Sequence, residues 1–287
     1  MMLILAEIGL NYMTLQRTKN IEKNIDERLS VQVSLTGLSF LVTNSTTSNV
    51  SYFYEHPFEA RLAPEEILDQ IEIVFGEHNE LQHEFYEVRV VYATDLYSII
   101  PSSLFDETKA SEYLKFNSKI LSNDFIATDV IDPYSLTVVY VPFININNFF
   151  FDRFGTFQYF HSASLLIRSI LNHEKNAINT KTYIHVLEDS FDIIVIKKNA
   201  LQLCNTHRFK TPEDFIYYVL FTLEQLDLNP ETVELVLCGN IKEDDDNYKI
   251  LYHYVRHVSF FNLMDSEGSI LKSEYPHANY LLKQVMQ

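Results

Sequence analysis

The pattern of apolar and polar positions is most legible between Thr182 and Asn240. Tyr183-Ile184-His185-Val186-Leu187 mixes apolar and β-branched residues and predicts a buried strand. Glu188-Asp189-Ser190 breaks that run, and Phe191 to Ile196 predicts a second strand. Lys197-Lys198-Asn199-Ala200 reads as a hairpin turn, with Asn199 suited to the left-handed conformation. Leu201 to Asn205 predicts a third strand. Thr211-Pro212-Glu213-Asp214 then carries helix-start signals: a capping hydroxyl, a proline suited to the first turn and two carboxylates at the positive end of the dipole. Phe215, Val219, Thr222, Leu223 and Leu226 form one stripe, and Ile216, Leu220 and Phe221 widen it, so the helix is expected to be buried on more than one side. Asn229-Pro230 ends it, and Val233 to Cys238 predicts the next strand, closed by Gly239-Asn240.

A weaker copy lies upstream. Val31, Val33 and Leu38 stand 153 positions before Ile184, Val186 and Phe191. At the same offset Phe40, Leu41 and Val42 fall on Ile193, Ile194 and Val195. His56-Pro57-Phe58 parallels His207-Arg208-Phe209, Pro64-Glu65-Glu66 parallels Pro212-Glu213-Asp214, and Val88 to Tyr92 parallels Val233 to Cys238. His161-Ser162-Ala163-Ser164-Leu165-Leu166 has an echo in His277-Ala278-Asn279-Tyr280-Leu281-Leu282. Matching blocks in matching order predict an internal duplication. Two lobes are therefore expected, residues 1–178 with a short preamble and residues 179–287, joined through the stretch 173–181.

Between the repeated blocks the pattern predicts a meander over 29–54, a helix from Pro64 to Phe75, a strand over 88–93, mostly helix from Pro101 to Phe116, and a strand over 136–141. A helix is expected at 162–172, another near 248–257, a strand near 258–263 and a last helix from His277. The stretch 143–160 is dense in aromatic residues, including Phe143, Phe149, Phe150, Phe151 and Phe154. It reads either as core or as a protein-binding patch, since aromatic side chains anchor interfaces. Asn145, Asn147 and Asn148 alternate with apolar residues before it and suggest a partly solvated face.

Composition narrows the function classes. The 287 residues include 47% hydrophobic positions, enough for a large core. The net charge of −17 argues against a nucleic-acid groove or an anionic-membrane surface, which need positive potential. Met1 to Leu10 is apolar but too short to span a bilayer and lacks a basic flank, so neither membrane insertion nor a signal peptide is expected. Two cysteines, Cys204 and Cys238, without a CxxC pair, suit buried free thiols in the cytoplasm.

Leu187-Glu188-Asp189-Ser190-Phe191-Asp192-Ile193 and Thr211-Pro212-Glu213-Asp214-Phe215-Ile216-Tyr217-Tyr218 resemble an uncharacterised bacterial family with an actin-like ATPase fold. The order of elements is similar to that superfamily more widely, including its pilus-assembly and secretion scaffold proteins. The resemblance implies an α/β, actin-like (ribonuclease H-like) fold of two duplicated lobes, each with a mixed sheet and flanking helices. In active members, ATP with Mg²⁺ sits between the lobes on two hairpins bearing Asp-x-Gly, and a glycine pair follows a late strand. Here the first hairpin reads Val33-Ser34-Leu35-Thr36-Gly37, without the acid, and the second Val186-Leu187-Glu188-Asp189-Ser190, without the glycine. Only Gly239 stands at the third place, followed by Asn240. Ser34, Thr36, Gly37, Asp189, Ser190 and Gly239 are thus vestigial phosphate-loop candidates. Glu188, Asp189, Asp192 and Glu243 to Asp246 would cluster there and repel a polyphosphate.

The resulting reading is a pseudo-ATPase: no catalytic residue, no cofactor, and an interaction or scaffold role with an unidentified protein partner. The alternatives are a nucleotide binder or slow ATPase with altered loops, or a structural homodimer built on the aromatic stretch. Other constellations are weaker. His253 and His257 are spaced to share a helix face as zinc ligands do, but no third ligand accompanies them. Glu243-Asp244-Asp245-Asp246 lacks the alternating acids of a calcium loop. No metal site is expected.

Overall fold

The computed structural model describes residues 11–13, 26–115, 124–176, 178–261, 277 and 279–285. Met1 to Leu10 and most of the preamble lie outside them. The chain divides into unit 1, Met1–Leu165 with Val285–Gln287, and unit 2, Leu166–Gln284. The sequence pattern places the boundary at 178/179; the division falls earlier, inside a helix.

Unit 1 contains strands β1 (Asn11–Met13), β2 (Glu27–Ser34), β3 (Gly37–Asn44) and β4 (Val50–Pro57), helix α1 (Pro64–Glu77), strands β5 (Glu87–Ala93) and β6 (Tyr97–Pro101), and helix α2 (Ala110–Leu114). Strands β7 (Ala127–Ile131) and β8 (Leu136–Tyr140), helix α3 (Ile144–Phe154) and strand β9 (Phe157–His161) follow. Helix α4 (Ser162–His173) crosses the division into unit 2. The main sheet has the order β1-β9-β5-β2-β3-β4, and β6-β8-β7 form a small second sheet.

The centre of unit 1 is aromatic. The ring of Phe75 on α1 lies 5.8 Å from Phe40 on β3 and 5.4, 6.0 and 5.9 Å from Phe149, Phe150 and Phe154 on α3. Phe143 and Phe150 are buried and Phe149, Phe151 and Phe154 half-buried. Phe143 and Phe150 are therefore not the exposed anchors that a binding patch requires. The physical reason is the helical period: Ile146 and Phe150, four apart, face inward, where Phe150 also meets Phe157 on β9. Asn147 is buried, its Oδ1 accepting from the Tyr92 hydroxyl at 2.6 Å, while Asn145 is half-buried and Asn148 exposed, so the face they share is partly solvated.

Unit 2 contains β10 (Thr180–Val186), β11 (Ser190–Lys197), β12 (Ala200–Arg208), α5 (Pro212–Gln225), β13 (Glu234–Gly239), α6 (Asp246–Tyr254), β14 (His257–Phe260) and α7 (Tyr280–Val285), whose last residue belongs to unit 1. The sheet order is β12-β11-β10-β13-β14. β10 and β11 are buried almost throughout, as near-continuous apolar strands covered on both faces are. On one face Ile184, Val186, Phe191 and Ile193 pack with Phe215, Val219 and Leu223 of α5 and with Leu251 of α6. α5 starts where its capping signals fall. The Thr211 hydroxyl accepts from the Asp214 amide at 3.2 Å, and the Asp214 carboxylate accepts from the Thr211 amide at 3.3 Å. α1 keeps half of that box, the Glu66 carboxylate accepting from the Ala63 amide at 2.8 Å.

The two sheets repeat one topology. β4-β3-β2-β5-β9 and β12-β11-β10-β13-β14 share their order; the first three strands of each run antiparallel and the next pairs parallel. A register shift lies between Val42 and Thr43 in β3 and between Val195 and Ile196 in β11, again 153 positions apart.

Three local readings are corrected. Over 102–115, after strand β6, the chain makes only short 3-10 turns and α2, so the described part of this stretch is less helical than its pattern suggests; Phe116 lies outside the described residues. α6 ends at Tyr254 and His257 begins β14, so His253 and His257 do not share a helix face. Phe221 does not widen the buried stripe of α5; it is 44% exposed.

Candidate functional site

In unit 1 the turn between β2 and β3 presents Ser34, Thr36 and Gly37. The Ser34 hydroxyl donates to the Gly37 carbonyl at 2.8 Å and accepts from the Thr36 amide at 3.2 Å, with the Thr36 hydroxyl 3.3 Å away. Ser34 is buried. The turn carbonyls are also engaged: Thr36 O accepts from the Phe58 amide at 2.9 Å and Leu35 O from the Leu62 amide at 2.8 Å. At Gly37 a Cβ would stand 3.1 Å from the His56 carbonyl oxygen and 3.3 Å from the Pro57 Cα. The glycine thus lets β4 pass close by.

In unit 2 the turn between β10 and β11 presents Asp189 and Ser190. It is closed by the Leu187 amide donating to the Ser190 carbonyl at 2.8 Å. Asp189 O accepts from the Phe209 amide at 3.0 Å, the counterpart of the Thr36 contact 153 positions earlier. Gly239 ends β13 beside Val186, the last residue of β10. Its φ is +87°, and a Cβ would lie 2.3 Å from the Val186 carbonyl oxygen and 3.1 Å from His185 Cδ2. The Gly239 amide donates to the His277 carbonyl at 3.0 Å, the Asn240 amide to Val186 O at 2.7 Å, and the Asn240 side chain to Glu188 Oε2 at 3.1 Å. Asp189, Ser190 and Gly239 therefore gather at one end of the unit 2 sheet, while Ser34, Thr36 and Gly37 occupy the matching end of the unit 1 sheet.

Asp192 does not join the acidic surface expected from its position in the sequence. It is 3% exposed, and its carboxylate accepts from the Thr206 hydroxyl at 2.6 Å and lies 3.1 Å from His185 Nδ1. Cys238, His185, Asp192 and Thr206 form one row across β13, β10, β11 and β12. Burial, reinforced by the Asp192 charge, holds the Cys238 thiol well above its ordinary range, so it is a poor nucleophile.

A second buried polar cluster, in unit 1, gave only a faint sequence signal. Asp129 on β7 is fully buried, and its Oδ2 accepts from the His161 amide at 2.8 Å and the Ser164 hydroxyl at 2.6 Å. His161 Nδ1 accepts from the Ala163 amide at 3.1 Å, so Nε2 carries the proton and donates to the Thr94 carbonyl at 3.1 Å. His277 Nε2 likewise donates to the Ile241 carbonyl at 2.6 Å. Thr94 and Ile241 hold the same place, two residues beyond Tyr92 and Gly239 in the paired registers. The two histidines are latches that tie a helix start to the end of a central strand. Their repetition was visible in the sequence; Asp129 had no motif around it.

Among the described residues no group of three or more His, Cys, Asp and Glu side chains could hold a metal ion. Of the acidic run, Asp245 accepts from the Lys242 amide at 2.8 Å and Asp246 opens α6. Among the described residues no helix is long and apolar enough to cross a membrane.

Residues 16–258 match the sequence model of a family described as "Protein of unknown function (DUF3822)". A comparison with curated proteins finds no match. Among solved structures, a Bacteroides thetaiotaomicron protein described as having an actin-like ATPase fold and unknown function is similar over 94% of this chain and 99% of its own, with 21% identity and a TM-score of 0.78. The type IV pilus biogenesis complex PilM-PilN contains a chain similar over 82% of this one and 88% of its own, with 11% identity and a TM-score of 0.53. The fold is the actin-like ATPase fold.

Proposed function

This chain belongs to the DUF3822 family and carries the actin-like ATPase fold, and from its two hairpins we propose that it is a non-catalytic interaction or scaffold module. One observation carries the reading: polar groups of both hairpins are engaged by the fold itself. In the first hairpin the Ser34 hydroxyl is taken by Gly37 O and the Thr36 amide. In the second, the place of a glycine is held by Ser190, whose carbonyl closes the turn. Gly239, after the late strand, is required by the backbone packed against it, which gives it a reason to be there without any nucleotide. Ser34, Thr36, Gly37, Asp189, Ser190 and Gly239 therefore make a poor cradle for ATP–Mg²⁺, and no catalytic step is assigned to them.

The shared strand order and the shared register shift support two units descended from one duplicated unit. Two cysteines outside any disulfide support a reducing, cytoplasmic setting. The PilM-PilN complex, a relative in fold alone, supports a protein rather than a small molecule as partner. A phosphate-release assay with ATP and Mg²⁺ tests the non-catalytic reading. Release at the level of the blank is expected; sustained turnover that Asp189→Ala abolishes would replace it with a slow ATPase.

A further inference from the structure

The outer face of α5 carries a group of side chains that neither the hairpins nor the core uses. Glu213, Tyr217, Phe221 and Glu224 follow one stripe at positions i, i+4, i+8 and i+11, away from the buried Phe215, Val219 and Leu223. Tyr217 is 60% exposed and Phe221 44% exposed, and their rings stack at 6.1 Å with 18° between planes. Glu213 and Glu224 bracket the pair, both exposed. Neither carboxylate makes an ion pair among the described residues, and α5 contains no Lys or Arg to neutralise them.

The equivalent helix of unit 1 is the natural comparison. α1 is also acidic and also lacks Lys and Arg, yet it has Asp69 and Ile73 where α5 has Tyr217 and Phe221, counting from the prolines that open them. The stacked ring pair is thus particular to α5 and is not a by-product of the shared topology.

Two ring faces between two carboxylates are complementary to cations. The ring quadrupole attracts a guanidinium or ammonium, and a carboxylate at either end accepts charge-assisted hydrogen bonds from it. A second copy of this chain would bring the same carboxylates to the face, within a chain of net charge −17, and would be repelled. We propose that the α5 stripe docks a basic segment of another protein, which lays Arg or Lys side chains over Tyr217 and Phe221 between Glu213 and Glu224. This deepens the interaction-module reading and rests on it.

The test uses the full chain and two synthetic helix-forming peptides of alanine background, one with arginine at every fourth position and one with neutral citrulline in its place. Binding is read by fluorescence anisotropy at physiological salt. The arginine peptide is expected to bind and the citrulline peptide not to bind. Loss of the rings in Tyr217→Ser/Phe221→Ser, which leaves the charge unchanged, should weaken binding about tenfold, the combined effect of two exposed cation–π contacts. Glu65→Gln/Glu72→Gln on α1 removes as much charge as Glu213→Gln/Glu224→Gln, but should change binding less than about twofold, as distant exposed charges do under screening. The proposal fails if the α1 variant weakens binding as much as the α5 variant, since that is attraction to any acidic surface. It also fails if the ring variant binds like the wild type, or if the wild type forms a dimer that the ring variant loses. Binding of ATP would overturn the non-catalytic reading without changing these results, so the two failures can be told apart.

Discussion

Replacing Gly239 by alanine adds one methyl group where the backbone leaves no space. The new Cβ would stand 2.3 Å from the Val186 carbonyl oxygen, 3.0 Å from the Val186 amide nitrogen and 3.1 Å from His185 Cδ2. The first two atoms are backbone at the end of β10, hydrogen-bonded between β11 and β13, and cannot swing aside, so β13 must retreat from β10. The retreat strains the hydrogen bond from the Asn240 amide to Val186 O and that from the Gly239 amide to His277 O. The φ of +87° adds the cost of a left-handed conformation for a residue with a Cβ. Conformation at about 1–2 kcal/mol and two hydrogen bonds at about 1 kcal/mol each give roughly 3–4 kcal/mol before any loss of packing. That is a large share of the roughly 5–15 kcal/mol that a folded domain commands. It corresponds to a midpoint lowered by roughly 6–16 °C. Thermal unfolding of the ligand-free protein by circular dichroism measures it. Gly155→Ala is the control, because Gly155 also has positive φ, +77°, but nothing within 4 Å of its would-be Cβ. If Gly239→Ala unfolds at the wild-type midpoint, or costs no more than Gly155→Ala, then Gly239 is not held by packing, and its reason must be sought in a ligand.

Other outcomes follow from the same geometry. Phe215→Ala, at a fully buried ring 4.9 Å from Phe191, should destabilise by about 3–5 kcal/mol in urea unfolding; a loss under about 1 kcal/mol would contradict the packing described for α5. Alkylation of the denatured, unreduced protein should label both Cys204 and Cys238, whereas in the native protein Cys204, half-buried, should react well before Cys238, whose thiol is buried and shifted upward. A single unlabelled pair in the denatured protein would reveal a disulfide. His207 stacks on Tyr218, and burial, opposed by the nearby Asp192 charge, lowers its pKa below the ordinary 6.5. A depressed folded pKa means that the unfolded chain binds the proton first, so this contribution is present above about pH 6.5 and is lost as the pH falls toward the folded value. The stability of the wild type should therefore drop relative to that of His207→Gln on acidification; an unchanged difference from pH 7.5 to 5.5 would refute the assignment.

The sheet architecture was legible because strands such as β10 and β11 are nearly continuous apolar runs bounded by turn residues, and because the constant spacing of Val31, Val33 and Leu38 from their counterparts exposed the repeat. α5 was legible from Thr211 onward because its cap, proline and acids follow in the order that a helix start demands. The failures share a cause: local pattern equates polar with outside. β7 went unread because Asp129, in the middle of the strand, is a buried carboxylate served by donors from His161 and Ser164, which are remote in sequence. Asp192 was placed at the surface for the same reason, although His185 and Thr206 hold it inside the sheet. Phe221 is the converse, an aromatic residue assigned to the core that faces outward beside Tyr217. The hairpin residues were placed in turns because turns announce themselves; their engagement with their own backbone is a matter of atoms that no spacing rule records.

The most direct measurement is a thermal-shift series with ATP at millimolar concentration, with and without Mg²⁺, on the wild type and on Asp189→Ala. A ligand at a hundred times its dissociation constant stabilises a fold by about 2.7 kcal/mol, a rise of roughly 5–11 °C here. With Ser34 bound to its own turn, Ser190 in place of a glycine and Gly239 filled by neighbouring backbone, the midpoint should not move in either protein. A rise of several degrees that needs Mg²⁺ and disappears in Asp189→Ala would contradict the non-catalytic reading and identify Asp189 as a displaced metal ligand.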